Sequence, residues 1–190
     1  MTCAEDIRAT EGLGIEFIGF IFVQSSPRSI TFEDATDLRG EAMGVKTVGV
    51  FMDMPSEQIN KYCTGLKLDF AQLHGDPDIE KCKQINVPVI QAFRGVPDSK
   101  TVEKFLEICP YILIDKADGE DLADFDAIAA LPNSIRSKLF LAGGLNSENV
   151  RKAVDMVHPF AVDCARGIET KLGKKDPKEM RAFLHNLPNI

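Results

Sequence analysis

No cysteine in this sequence stands in a CxxC pair, no block of lysine and arginine interrupts it, and no apolar run approaches the length of a membrane span. Each absence excludes something. The five cysteines, Cys3, Cys63, Cys82, Cys109 and Cys164, are scattered and odd in number. That argues against a disulfide framework or a zinc site and for a reducing compartment. The formal net charge is -7 at pH 7, and without a basic patch the chain is not built for nucleic acid. Its densest basic stretch, LGKKDPKE, is broken by acids. No basic-then-apolar run follows Met1, so the cytoplasm is the expected location. No linker or low-complexity stretch divides the chain. What is present is 190 residues, 44% hydrophobic and 27% charged, enough for one domain, residues 1–190, with a sizeable core.

Short apolar runs alternate with helix-like segments. Strands are expected over 16–23, 46–52, 69–75, 88–94, 111–115, 138–144 and 160–164. Helices are expected near 4–12, 32–43, 56–65, 77–85, 99–108, 124–131, 147–156 and 176–186. Thr31, Pro55-Ser56 and Asp176-Pro177 mark helix starts. Continuous apolar strands alternating with helices imply a parallel sheet covered by helices. A doubly wound open sheet has five or six strands as a rule, and a (β/α)8 barrel has eight. Seven strands, eight helices and a helix at the start suggest a barrel whose first strand is missing from this chain.

Nearly every strand ends in a polar or glycine-rich cluster, and barrel active sites are built at those ends. AGGLN (142–146) and DCARGIE (163–169) follow the last two strands, where barrels often bind phosphate on backbone amides. Gly143, Gly144 and Gly167 permit close approach, and Arg166 adds charge. A glycine pair is equally often no more than a turn. Asp115, after four apolar residues, is a candidate general acid or a loop-capping carboxylate. Gln72 and His74 share one face of a strand and can hydrogen-bond a substrate, though a lone histidine is more often structural. Arg28, in a loop stiffened by Pro27, can grip a carboxylate with two prongs or lie free on the surface. Asp163 can orient its loop.

Several segments, in order, resemble the phosphoribosylanthranilate isomerase family: GIEFIGFIFVQSSPRSI, VGVFMD, DFAQLHGD, QAFR, LAGGLNSENV, and AVDCARGIET followed by GKKD. The resemblance covers most of the chain. It implies a (β/α)8 barrel that carries out an Amadori rearrangement of N-(5-phosphoribosyl)anthranilate in tryptophan biosynthesis, with no metal and no cofactor. By position, Asp115 matches the family's general acid, and Arg28 matches the arginine that holds the anthranilate carboxylate. Gln72, His74 and Asp163 fall at substrate-contacting strand ends. Gly143, Gly144, Ala165, Arg166 and Gly167 match the phosphate cradle. The implied partner is a phosphorylated small molecule, not nucleic acid or membrane, and the implied assembly is a monomer or homodimer.

The sequence departs from the family pattern in three places. Met1-Thr2 aligns with the end of the motif that carries the family's general-base cysteine, so that base and its strand are expected to be absent. Cys3 lies four residues past the expected position. The glycine-rich loop after the acid reads KADGEDLADFDAI, with four acids before the FDAI anchor. Ala165-Arg166 replaces two serines. Two alternatives follow: an isomerase shifted to another phosphosugar, or a catalytically silent phosphate- or partner-binding relative.

Overall fold

The computed structural model describes residues 1–10 and 12–188. Its elements in chain order are α1 (Ala4–Arg8), β1 (Phe17–Ile21), α2 (Phe32–Glu41), β2 (Lys46–Met52), α3 (Ser56–Leu66), β3 (Phe70–His74), α4 (Ile79–Lys83), β4 (Val89–Arg94) and α5 (Ser99–Leu106). Next come β5 (Tyr111–Asp115), α6 (Phe125–Ala129), α7 (Asn133–Arg136), β6 (Leu139–Leu141), α8 (Val150–Val157), β7 (Ala161–Val162), β8 (Glu169–Lys171), β9 (Lys174–Lys175) and α9 (Pro177–His185).

The first seven strands form one sheet in sequence order, and every neighbouring pair is parallel. The sheet curls into a half-barrel: Phe17 on β1 packs edge-on against Phe140 on β6, with ring centroids 5.1 Å apart. Alternation sorts the side chains. On β4, Ile90 and Ala92 face the inside of the curl, where they meet Val48, Leu113 and Phe140. Val89 and Phe93 face outward and pack under the helices with Ile112, Ile114, Val102 and Phe105. Two apolar layers result, one inside the sheet and one between sheet and helices. Phe17, Phe70, Tyr111, Phe140 and Phe160 close the amino end of the curl as one aromatic cluster.

The helix-start signals work as their chemistry dictates. Thr31 accepts a hydrogen bond from the Asp34 amide while the Asp34 carboxylate reaches back, a capping box. Asp176 caps α9 with Pro177 in its first turn. The helix expected over 4–12 is shorter: α1 closes at Arg8, and residue 11 lies outside the described residues.

Two corrections apply to the count of seven strands and eight helices. The described residues hold nine helices, because Pro132 starts the one-turn α7, too short to show a period. They also hold two further strands, β8 and β9, an antiparallel hairpin turning at Gly173 with φ +79°. Its sequence, ETKLGKK, has no apolar alternation, so nothing in it signals a strand.

Candidate active site

The pleat decides which side chains converge. Residues of one parity point into the curl, and the last such residue of each strand sits at the carboxyl end. These are Met52 on β2, His74 on β3, Arg94 on β4, Asp115 on β5 and Asp163 just past β7. The backbone register sets Met52 beside His74 and Arg94 beside Asp115. Arg28 joins them from the loop after β1. That loop folds back: the Ile30 amide donates to the Ile21 carbonyl at 2.9 Å, and the Arg28 amide donates to Ser26 Oγ at 3.2 Å.

These groups line one cavity of about 690 Å³, which runs along the inside of the curl and the β1–β7 seam to Met180 and Phe183 of α9. Its mouth is ionic and its walls, Ile18, Val48, Val50, Ile90 and Leu113, are apolar. Asp163 lines the cavity and is exposed there, while the surrounding wall and loops still draw water away from its carboxyl. Burial raises its pKa above the ordinary 3.8, and the charge of Asp115 adds to the rise. Burial lowers the pKa of His74, and Arg94 adds to the fall against an opposing pull from Asp115. The site therefore holds a carboxyl that ionises less readily than an ordinary aspartate and an imidazole that takes up a proton less readily than an ordinary histidine.

Of the residues singled out from the sequence, Arg28, Gln72, His74, Asp115, Asp163 and Ala165 all line this cavity. Gly143, Gly144, Arg166 and Gly167 lie at the same end of the sheet but outside the lining. The three glycine backbones meet protein instead. A Cβ on Gly143 would stand 2.6 Å from the Lys116 amide, one on Gly144 would collide with the Asp121 carbonyl, and one on Gly167 with the Leu145 carbonyl. Loop 116–124 thus rests on the glycine pair, held by an Ala123-to-Gly143 hydrogen bond of 3.0 Å. One of its four acids, Asp118, is neutralised by Arg94 at 2.6 Å. Cys3 stands at the N-cap position of α1 without a capping bond, outside the cavity lining, and accepts a hydrogen bond from Lys174 Nζ at 3.3 Å.

Sequence reasoning missed Glu16, Arg94, Glu169 and Lys175 in this lining. Arg94 was visible as the last residue of a strand. Glu169 and Lys175 face each other across the β8–β9 hairpin, and only the fold brings them to Arg28. Glu169 binds the Arg28 guanidinium through two bonds of 2.8 and 2.6 Å. Burial alone would raise its pKa, but Arg28 and Lys175 outweigh that and lower it. Among the described residues no cluster of three or more His, Cys, Asp or Glu could hold a metal ion. No helix there is long and apolar enough to cross a membrane.

A curled parallel sheet with ionisable groups gathered at the carboxyl ends of its strands defines a barrel-type α/β enzyme. The comparisons with known proteins specify which. The family model described as N-(5'phosphoribosyl)anthranilate (PRA) isomerase matches residues 2–186, so the chain belongs to that family. N-(5'-phosphoribosyl)anthranilate isomerase of Geobacter sulfurreducens is 35% identical over 97% of this chain and 93% of its own. The enzyme of that name from Thermotoga maritima is 37% identical over 100% and 96%. The crystal structure of the Thermotoga maritima enzyme superposes with a TM-score of 0.84 at 35% identity, covering 98% of this chain and 94% of that one. A phosphoribosyl anthranilate isomerase in complex with reduced 1-(o-carboxyphenylamino)-1-deoxyribulose 5-phosphate gives 0.83 at 36%, with the same coverage.

Proposed function

We propose that this chain isomerises N-(5-phosphoribosyl)anthranilate to 1-(o-carboxyphenylamino)-1-deoxyribulose 5-phosphate in tryptophan biosynthesis. The observation that carries it, given the family, is a single cavity lined by both Asp115 and Arg28. The relative that binds the reduced product supplies the ligand class. Asp115 protonates the ribose ring oxygen, the ring C–O bond breaks, and an imine forms. A base then takes the C2 proton, and the enolamine tautomerises to the ketone. Arg28 pairs with the anthranilate carboxylate. Gln72, His74 and Asp163 hydrogen-bond the ribose hydroxyls. The backbone of residues 163–167, with Arg166, and the Gly143-Gly144 turn take the phosphate once loop 116–124 gives way. The chemistry is proton transfer throughout and calls for neither metal nor cofactor. The partner is thus a phosphorylated small molecule rather than nucleic acid or membrane, the compartment is the cytoplasm, and the assembly is a monomer or homodimer.

The general base is the role no described residue fills, because Cys3 lies off the cavity. The eighth strand of the barrel belongs to the same proposal. Among the described residues β1 and β7 do not pair with each other, and the cavity runs between them to α9. One more parallel strand there would present its last side chain to the mouth.

The test is a fluorescence assay of anthranilate-ribose turnover, with calorimetric binding of the reduced product alongside. Binding of that ligand, together with turnover that rises by orders of magnitude when a cysteine-ending strand is fused ahead of Met1, supports the proposal. Failure to bind it rules the proposal out. The packing of loop 116–124 on Gly143 and Gly144 favours a second reading, an isomerase for another phosphosugar. A competing phosphosugar that binds more tightly than the reduced product would select that reading.

A further inference from the structure

We propose that Glu169 is a positioning residue that aims Arg28 at the substrate's carboxylate; this rests on the isomerase function proposed above. A guanidinium offers two forked edges to a carboxylate, one through Nε and Nη2 and one through Nη1 and Nη2. Glu169 occupies the first, with Oε1 accepting from Nε at 2.8 Å and Oε2 from Nη2 at 2.6 Å. Among the described residues Nη1 makes no hydrogen bond, so the second edge stays available while the side chain is held at two points. Arg28 lines the cavity, and its side chain is only 17% exposed.

A surface ion pair would not do this. Glu169 is 4% exposed and Lys175 8%, so the carboxylate is buried between two cations. Lys175 Nζ donates to Glu169 Oε1 at 3.2 Å and to the Ala165 carbonyl at 2.8 Å. The hairpin register that pairs Glu169 with Lys175 fixes this geometry from below. Asp163 offsets the charge of Lys175 on its side of the cluster, and the free edge of Arg28 remains the place where a second anion can bind. Without Glu169, Arg28 and Lys175 would repel each other and Arg28 would leave its orientation.

The experiment compares binding of two ligands by calorimetry: the reduced product, and its analogue with aniline in place of anthranilate, which lacks only the carboxylate. The wild type should prefer the carboxylated ligand by about tenfold or more, the worth of one charge-assisted forked pair. Glu169→Gln keeps the shape but turns one acceptor into a donor facing Arg28. It should abolish that preference while binding the aniline analogue within about twofold of wild type, and Glu169→Asp should restore the preference partway. Equal weakening of both ligands would mean a merely structural role and would overturn the proposal, as would an undiminished preference. If the wild type binds neither ligand, the isomerase function fails and this inference with it. Should E169Q not fold, E169D alone decides: its preference must fall below that of wild type.

Discussion

Gln72 Nε2 lies 2.6 Å from His74 Nε2, two residues further along the same face of β3. With the amide oriented as it is, the ring nitrogen accepts, which places the imidazole proton on Nδ1. Burial already lowers the pKa of His74, and this bond favours the same neutral form. NMR titration should give His74 a pKa below its ordinary 6.5, and Gln72→Glu should reverse the shift by supplying a carboxylate. The unfolded chain takes up that proton at higher pH than the folded one. His74 therefore costs no stability above pH 6.5 and destabilises the fold progressively below it. A folded-state pKa of 6.5 or higher in the wild type would contradict the bond as described.

Asp163 shows the opposite sign. Its folded pKa lies above 3.8, so at neutral pH the folded chain bears the cost of an unfavourably ionised group. Asp163→Asn should raise the melting temperature near pH 8, at about 2–4 °C per kcal/mol for a chain of this size. The gain should shrink as pH falls through the folded pKa towards 3.8, where wild type is protonated as well. Ligand affinity should fall in the same variant. An asparagine variant no more stable than wild type at pH 8 would show that the carboxylate is not strained there.

Asp115 ends β5 in register with Arg94 and accepts the Lys116 amide at 2.8 Å. Asp115→Asn should reduce kcat by about 10²–10⁴-fold, the usual worth of a general acid. Binding of the reduced product should change little. Steady-state kinetics and calorimetry together check this, and loss of binding without loss of kcat would assign Asp115 to recognition instead.

Gly167 does not adopt a left-handed φ, so its constraint is contact alone. A methyl group there would collide with the Leu145 carbonyl and Asn146, where residues 146 and 167 form a bridge. Gly167→Ala should cost about 1–3 kcal/mol through overpacking and lower the melting temperature accordingly. Unchanged stability would mean the two loops part easily.

Much of this molecule is legible in one dimension. The seven main strands fall where the apolar runs are, because a parallel strand buried on both faces leaves little room for polar residues. Thr31 and Asp176 start helices wherever they meet free amides. His74, Asp115 and Asp163 stand at strand ends, Gln72 shares the face of β3 that His74 ends, and Arg28 sits in the loop after β1; strand ends and the loops after them are countable from sequence. Glu169 and Lys175 are not legible in that way. A polar hairpin around Gly173 has no periodic signature, and its partner Arg28 is 141 positions distant from Glu169. The glycine pair by sequence suggests a turn facing an anion, but in this structure the 116–124 loop packs against it, a contact set by which loop lies next door.

By itself the sequence determined the alternation of elements, the strand ends and the family pattern, since these follow from local burial and hydrogen bonding. The tertiary structure decided which strand ends share a cavity and which charges pair. It also decided that Cys3 stays outside that cavity while Asp163 faces into it. Those outcomes depend on the curl of the sheet, which joins residues from opposite ends of the chain and sets the solvation that shifts their pKa values.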